Sequence, residues 1–419
     1  MERLRDNEDL TRQRSDDFMA FKEREVRFLS SFLGPSEVYR RIKTEQDNLK
    51  AKQRARRQLL ARAAREVRYY TETNSQGYRK YRYFDYEFKF NNQRYDLEFT
   101  DRNVAERIYG PIIDIESMCG VFTASGMAAI AAAAMTVQTL VPEGVQFILP
   151  SGQEFHETQH LFKRYLRNNG PIEVAMVCSS GSINVQHALS YVPKAKIVIV
   201  DTTCWDLGGA EVAGLVKELK KSDSLVFLVR SHQKLDSFGI EYSRLGSVVA
   251  IHSDQRLVTQ AYSECKRIVA TFGMQMHLTS LIPFLGVGAF ARLSHARTER
   301  IRNNTFRAFH AMRDAFDGSS RVTLRAYPHS LFFSIHIKET MNHETLKACA
   351  QRCASVLRGY KVPAFYASSF GFDFTAFDSF VDARTGEATI RVAVGDHAPS
   401  SVVALITILK AEVRKICAV

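Results

Sequence analysis

Three short segments of this 419-residue chain hold residue types that could do chemistry together. Residues 225–229 are apolar, and Arg230-Ser231-His232-Gln233-Lys234 follows them. A second apolar run, 197–200, ends in Asp201-Thr202-Thr203. Thr123-Ala124-Ser125-Gly126-Met127 opens an alanine-rich stretch that reads as a buried helix. Short apolar runs of this kind read as strands buried on both faces. Ligands of open α/β sheets bind beyond the carboxyl ends of the strands, so an amine, a carboxylate and a helix start fall on one rim. The helix start adds backbone N–H groups and a dipole that favour an anion.

An amine, a carboxylate and an anion cradle are what pyridoxal phosphate needs. The amine forms a Schiff base, the carboxylate keeps the pyridinium protonated as an electron sink, and the cradle takes the phosphate. Lys234, Asp201 and Ser125-Gly126-Met127 supply them in turn. Singly, a lysine after a strand reads as a surface residue and an aspartate as a helix cap. Their joint occurrence at three strand ends carries the assignment.

The same segments resemble the cystathionine gamma-synthase group of the fold-type I pyridoxal-phosphate enzymes. Ser125-Gly126-Met127-Ala128-Ala129-Ile130 is similar to the group's phosphate-binding segment. Ser231-x-x-Lys234 resembles its Ser-x-Thr-Lys motif, and Val200-Asp201-Thr202-Thr203 its Val-Asp-Asn-Thr. Thr389-Ile390-Arg391-Val392-Ala393-Val394-Gly395 resembles the late Ile-Arg-Leu-Ser-x-Gly segment, and Ala367-Ser368-Ser369-Phe370-Gly371 the Ser-Leu-Gly region before it. The resemblance covers about residues 110–419.

It implies roles. Lys234 would hold the cofactor and shuttle protons, Asp201 would pair with the ring nitrogen, and Thr203 would join the cofactor-binding residues. Gly126, Met127, Ser125 and the Ser231 hydroxyl would hold phosphate. Arg391 would clamp the substrate carboxylate bidentately, as a planar guanidinium does well, with Ser369 beside it. Phe155 stands at the group's stacking tyrosine, with His156 as the adjacent competitor. The departures are specific. The group's Tyr-x-Arg from the neighbouring subunit has no match near residues 95–102, and Cys204-Trp205 replaces a tyrosine. Arg244 follows Lys234 in a pattern similar to aminotransferases, where it would bind phosphate in cis; its alternative is a structural salt bridge. His156-Glu157-Thr158-Gln159-His160 matches the H-E-x-x-H zinc motif. Lys163 and Leu166 stand where one protease class needs Gly and His, and no metal is expected.

Several elements must position these residues. Residues 1–70 read as helix, broken at Gly34-Pro35, and 78–99 as a hairpin with one apolar face turning at Asn91-Asn92. Apolar runs at 145–149, 174–178, 197–200, 225–229 and 248–251 alternate with helical segments, which predicts a parallel-rich α/β sheet. Strands near 331–337 and 389–394 and a last helix from Ser400 predict a smaller α+β domain. The expected division is an N-terminal arm and hairpin at 1–110, a large cofactor domain at 111–294 and a small C-terminal domain at 295–419. The arm cannot bury a large core alone, which predicts packing on the main body or a second chain. A homodimer or homotetramer is expected.

Hydrophobic residues make up 45% and charged residues 24%, which excludes a disordered or disulfide-scaffold chain. Seven scattered cysteines without zinc-finger spacing, and Glu2-Arg3 in place of an apolar leader, predict a reducing cytoplasm. The net charge of +12 is concentrated: residues 40–68 hold eleven Lys or Arg against Glu45, Asp47 and Glu66. Without aromatic interleaving this reads as a solvated helix on a partner subunit, ahead of a nucleic-acid surface. No membrane partner is expected. By its resemblance the chain is expected to be a lyase or transferase of amino-acid metabolism. It would catalyse β/γ-elimination or γ-replacement through quinonoid chemistry in a specialised pathway, such as alkyne formation from a halogenated amino acid or use of S-adenosylmethionine. An aminotransferase is the alternative, and a non-catalytic relative that binds nucleic acid through the basic arm is the distant one.

Overall fold

A computed structural model describes residues 2–33, 42–66, 68–73, 79–83, 86–91, 96–99, 104–110, 118–148, 156–166, 169–179, 190, 195–207, 209–221, 223–338, 342–381 and 387–417. The Gly34-Pro35 break, Phe84, the Asn92 turn and Phe155 lie outside the described residues.

The chain opens with helices α1 (Glu2–Ser31) and α2 (Glu45–Glu66). Strands β1 (Arg68–Thr73), β2 (Arg79–Tyr83), β3 (Tyr86–Asn91) and β4 (Asp96–Phe99) follow. Next come α3 (Val104–Tyr109), β5 (Met118–Thr123), α4 (Gly126–Leu140), β6 (Val145–Ile148) and α5 (His156–Arg164). Then β7 (Ile172–Cys178), β8 (Ile197–Asp201), α6 (Ala210–Leu219), β9 (Leu225–Ser231) and β10 (Gly246–Ile251) alternate with loops. The last third holds α7 (Gln255–Thr271), α8 (Gly288–Ala315), β11 (Val322–Ala326), β12 (Phe333–Ile337) and α9 (His343–Gly359). It closes with β13 (Ala364–Tyr366), β14 (Thr375–Val381), β15 (Ala388–Ala393) and α10 (Pro399–Cys417). No helix among the described residues is long and apolar enough to cross a membrane.

Two compact units form. One comprises residues 56–237 and 241–295, the other 1–55, 238–240 and 296–419. In the first, a six-stranded sheet has the order β5-β10-β9-β8-β7-β6. Strands β6 to β9 are mutually parallel, whereas β10 runs antiparallel to both β9 and β5. Val198, Ile199 and Val200 are fully buried, and so are Val226, Phe227, Leu228 and Val229. Each such side chain contributes roughly 1.5–3 kcal/mol by leaving water. Helix α4 packs on β8, β9 and β10, and its Ala129, Ala132, Ala133 and Ala134 are fully buried. The same unit carries a four-stranded antiparallel sheet, β1-β2-β3-β4. Its β3–β4 pair, in register at Asn91 and Asp96, is the expected hairpin. The expected helix to residue 70 stops at Glu66, and Tyr69 and Tyr70 lie in β1.

In the second unit the sheet order is β11-β12-β15-β14-β13, antiparallel except for the β13–β14 pair. Phe333, Ile335, Ile390 and Val392 pack with Leu346 and Leu357 of α9 and Leu405 and Leu409 of α10. Helices α1 and α2 contribute buried charges to this unit. Lys22 lies 3.0 Å from Glu25 and from Asp373, and it also pairs with Asp396. Lys52 contacts Glu25 at 2.7 Å and donates to the Phe238 carbonyl at 3.1 Å. Arg297 and Arg300 add ion pairs to Asp373 and Asp396 at 2.9 and 2.6 Å. Gly239, at φ +71°, sits where a Cβ would lie 2.6 Å from Arg297 Nη2, so only glycine fits that turn.

Candidate active site

The site residues of the first unit gather at one edge of the six-stranded sheet. Strands β5, β8 and β9 end there, and β10 begins there because it runs the opposite way. Gly246, its first residue, pairs with Thr123 on one side and Ser231 on the other. Asp201 is paired with Val229, two residues before Ser231.

Beyond β5 the chain turns into α4. Ser125 is its N-cap, in extended conformation, and its hydroxyl accepts from the Ala128 N–H at 3.1 Å. The Thr123 hydroxyl donates to the Ser125 carbonyl at 2.9 Å. Gly126 brings the helix onto the end of β9: a Cβ there would lie 2.7 Å from the Ser231 Cβ. A side chain at that position would wedge the helix start away from Ser231.

Hydrogen bonds join the next two strand ends. The Thr203 N–H donates to Asp201 Oδ1 at 2.9 Å, and the Ser231 N–H donates to the Thr203 hydroxyl at 3.0 Å. The Asp201 side chain is buried. Burial pushes its pKa up, while Thr203 and the nearby Lys234 ammonium oppose that shift. Lys234 is half-buried in the turn after β9, held from below by the Ser237 hydroxyl, which donates to the Gln233 carbonyl at 2.7 Å and the Lys234 carbonyl at 3.2 Å. The neighbouring Cys204 thiol is pushed up to about 12 by burial, so it stays protonated and is no nucleophile.

A buried polar cluster beneath this turn was not evident from sequence. Arg230 donates from Nε and Nη2 to the two oxygens of Asp236, each at 2.7 Å. His232 Nδ1 lies 2.7 Å from Asp236 Oδ2, and its Nε2 lies 2.8 Å from the Ser247 hydroxyl. The one sequence signal is that Arg230 and His232 stand within three residues of the end of a five-residue apolar run.

The remaining predicted residues fall as follows. Met127 is half-buried in the first turn of α4, with the Thr158 hydroxyl 3.9 Å from its sulfur. His156 is the first residue of α5. Arg244 is exposed, one residue before Leu245, whose carbonyl accepts from the His232 N–H at 2.9 Å. Arg391 and Ser369 belong to the second unit. Arg391, on β15, donates from Nη2 to Asp378 Oδ2 at 2.9 Å, and its guanidinium stands 5.3 Å from the Phe332 ring centre. Ser369 is half-buried in the loop after β13. The sheet edge therefore joins Ser125, Gly126, Asp201, Thr203, Ser231 and Lys234.

No protein-family model and no curated protein matches the chain. Solved structures do. One is a candidate O-acetylhomoserine (thiol)-lyase from Campylobacter jejuni subsp. jejuni containing N'-pyridoxyl-lysine-5'-monophosphate. The TM-score is 0.52 at 15% identity, over 78% of this chain and 89% of that one. Another is SPT with a PLP internal aldimine, with a TM-score of 0.50 at 13% identity over 87% of this chain and 84% of that one. The chain has the fold-type I pyridoxal-phosphate enzyme fold. In this fold-type I chain, neighbouring parallel strands β8 and β9 set their carboxyl ends side by side, which is why Asp201 and Lys234 act on each other electrostatically.

Proposed function

We propose that the chain is a pyridoxal-phosphate enzyme that acts on an amino acid. The observation that carries this is the hydrogen-bonded row Asp201–Thr203–Ser231, with Lys234 three residues beyond Ser231 and Gly126 packed on it. The residues fit the group. A buried carboxylate suits a protonated ring nitrogen, the Lys234 amine suits the aldehyde carbon, and the Ser125-capped start of α4 suits a phosphate. When bound, pyridoxal phosphate supplies an electron sink for negative charge at the substrate's α-carbon.

The protein's own groups have defined tasks. Lys234 would hold the cofactor through its amine and would move the proton at the substrate's α-carbon. Asp201 stays ionised opposite a cationic ring, since a cation in its pocket offsets the burial that otherwise raises it. Ser231, Gly126 and Met127 bind phosphate, with Arg244 as the cationic candidate in cis. By the resemblance, Phe155 or His156 would stack on the ring. Arg391, oriented by Asp378, takes the substrate carboxylate, with Ser369 beside it. The resemblance in sequence supports elimination or replacement at the β- or γ-carbon. The substrate class is then an amino acid with a leaving group on that carbon, such as a halide or a sulfonium, in a specialised pathway. A homodimer in a reducing cytoplasm completes the proposal.

Incubation with pyridoxal phosphate, borohydride reduction and peptide mapping test it. The expected result is a pyridoxyl adduct on Lys234, absent from Lys234→Ala. An adduct confined to other lysines, or an active Lys234→Ala protein, overturns it.

A further inference from the structure

We propose that Arg230, Asp236 and His232 form a positioning clamp that sets the separation of Asp201 from Lys234. This rests on the cofactor assignment above, because those two groups must span one ring from its nitrogen to its aldehyde carbon. Arg230 does the spanning. Its Nε and Nη2 hold both oxygens of Asp236, two residues after Lys234. Its Nη1 donates to the carbonyl of Trp205 at 2.7 Å and to the carbonyl of Thr202, the residue after Asp201. One rigid, planar guanidinium therefore ties the loop just beyond the carboxylate's strand to the turn that carries the amine.

The clamp extends to a third strand. His232 links Asp236 to Ser247 on β10, and its backbone N–H donates to the Leu245 carbonyl at 2.9 Å. All three side chains are buried, at 1% exposure or less. Burial pushes the His232 pKa down despite Asp236, so the ring is neutral and its Nδ1–H donates to the carboxylate. Asp236 is held down to about 2 by Arg230 and His232 although burial alone would raise it. Tyr109 of α3 is a further buried titratable group within reach of Arg230 and Asp236, its phenol pushed up to about 12 by burial. Asp206 also acts on Arg230. A buried ion pair is a weak source of stability compared with apolar packing of the same volume, whereas fixed hydrogen bonds to two loop carbonyls fix geometry. Displacement of reacting groups by about 1 Å costs on the order of a hundredfold in rate.

The test uses the full chain and pyridoxal phosphate itself, with wild type, Arg230→Lys, His232→Gln and Ser247→Ala compared. Cofactor affinity, the pH midpoint of cofactor absorbance, borohydride labelling of Lys234 and thermal melting are measured. Variants that melt cooperatively are expected to bind the cofactor within about threefold of wild type, since the phosphate cradle is untouched. Their absorbance midpoint should move by about half a pH unit or more, and labelling of Lys234 should fall several-fold. Arg230→Lys keeps the charge but not the fork, so its failure to rescue supports the clamp. If Arg230→Lys does not fold, His232→Gln, which loses the bond to Asp236, and Ser247→Ala, which loses only the outer bond to His232, decide the matter. Folded variants with wild-type midpoint and labelling overturn the clamp and leave the cofactor assignment standing. A wild type without label on Lys234 overturns both.

Discussion

Lys22 Nζ lies 3.0 Å from Asp373 Oδ1, and both side chains are shut away from solvent. The pair joins the first helix to the loop before β14. Among the described residues it belongs to a cluster of Lys22, Lys52, Arg297 and Arg300 with Glu25, Asp373 and Asp396, so cations outnumber carboxylates. That imbalance ranks the substitutions. Asp373→Asn strips a partner from Lys22, Lys52 and Arg297 together and is expected to cost about 3–5 kcal/mol. Lys22→Met removes the surplus charge and is expected to cost less. Arg27→Ala breaks only the exposed pair with Glu23 and is expected to cost under about 0.5 kcal/mol. Urea unfolding of the three variants checks the order.

Stability should fall with acid in two stages. Asp373 and Asp396 lie in a buried setting that would raise them, yet the surrounding Lys and Arg hold both well below the carboxylate range. A depressed carboxylate contributes stability above its unfolded pKa of about 4, and that contribution is lost as pH falls toward the folded value. Asp236, at about 2, adds about 2 kcal/mol that disappears over the same window. His232 acts earlier, because the unfolded chain takes a proton below about 6.5 that the buried ring refuses. Melting temperature against pH should therefore decline gently below about 6.5 and steeply below about 4. A curve flat down to about pH 3 contradicts this assignment.

Gly126→Ala isolates the cradle. Alanine ordinarily favours a helix, by about 1 kcal/mol over glycine. Here its Cβ would meet the Ser231 Cβ at 2.7 Å and the Ser231 Cα at 3.2 Å, and a backbone-bound neighbour cannot swing aside. The expected result is a net loss of about 1–3 kcal/mol in stability and roughly tenfold weaker cofactor binding. Calorimetry and absorbance titration measure the two separately.

Arg391→Lys should weaken use of the amino-acid substrate by about 2 kcal/mol in kcat/KM, the scale of one charge-assisted hydrogen bond. Asp378 already engages Nη2 of the arginine, so a lysine placed there would be drawn to Asp378 and away from a substrate. Asp378→Asn in the same background should restore part of the loss. Steady-state kinetics of the single and double variants decide whether the two residues are coupled.

The type of reaction is separable from its existence. An amino acid with a γ-leaving group should be consumed with no 2-oxo acid present, and the cofactor spectrum should return to its starting form. Turnover that requires a 2-oxo acid, with the cofactor left as its amine, identifies an aminotransferase instead.

Much of the sheet was legible because its strands are unbroken apolar runs: 197–200 and 225–229 appear as β8 and β9 with their polar ends on one edge. The direction of β10 was not, since an apolar run carries no arrow and only pairing with Thr123 and Ser231 reveals it. The basic segment 40–68 read as a solvated face, yet Lys52 is fully buried within it, because its partners stand far along the sequence. Arg230 and His232 received no role of their own in the sequence, because burial of an ion pair beneath the turn has no local signature.

The pairing of Lys22 with Asp396 spans 374 residues of chain. During synthesis at about 5–20 residues per second, α1 is made roughly twenty seconds to over a minute before its carboxylate partners exist. Lys22 and Lys52 therefore lack Asp373, and Lys22 lacks Asp396, until well after the sheet that carries Asp201 and Lys234 has been made. The buried charge cluster closes only after β15 is made, because Asp396 lies beyond that strand.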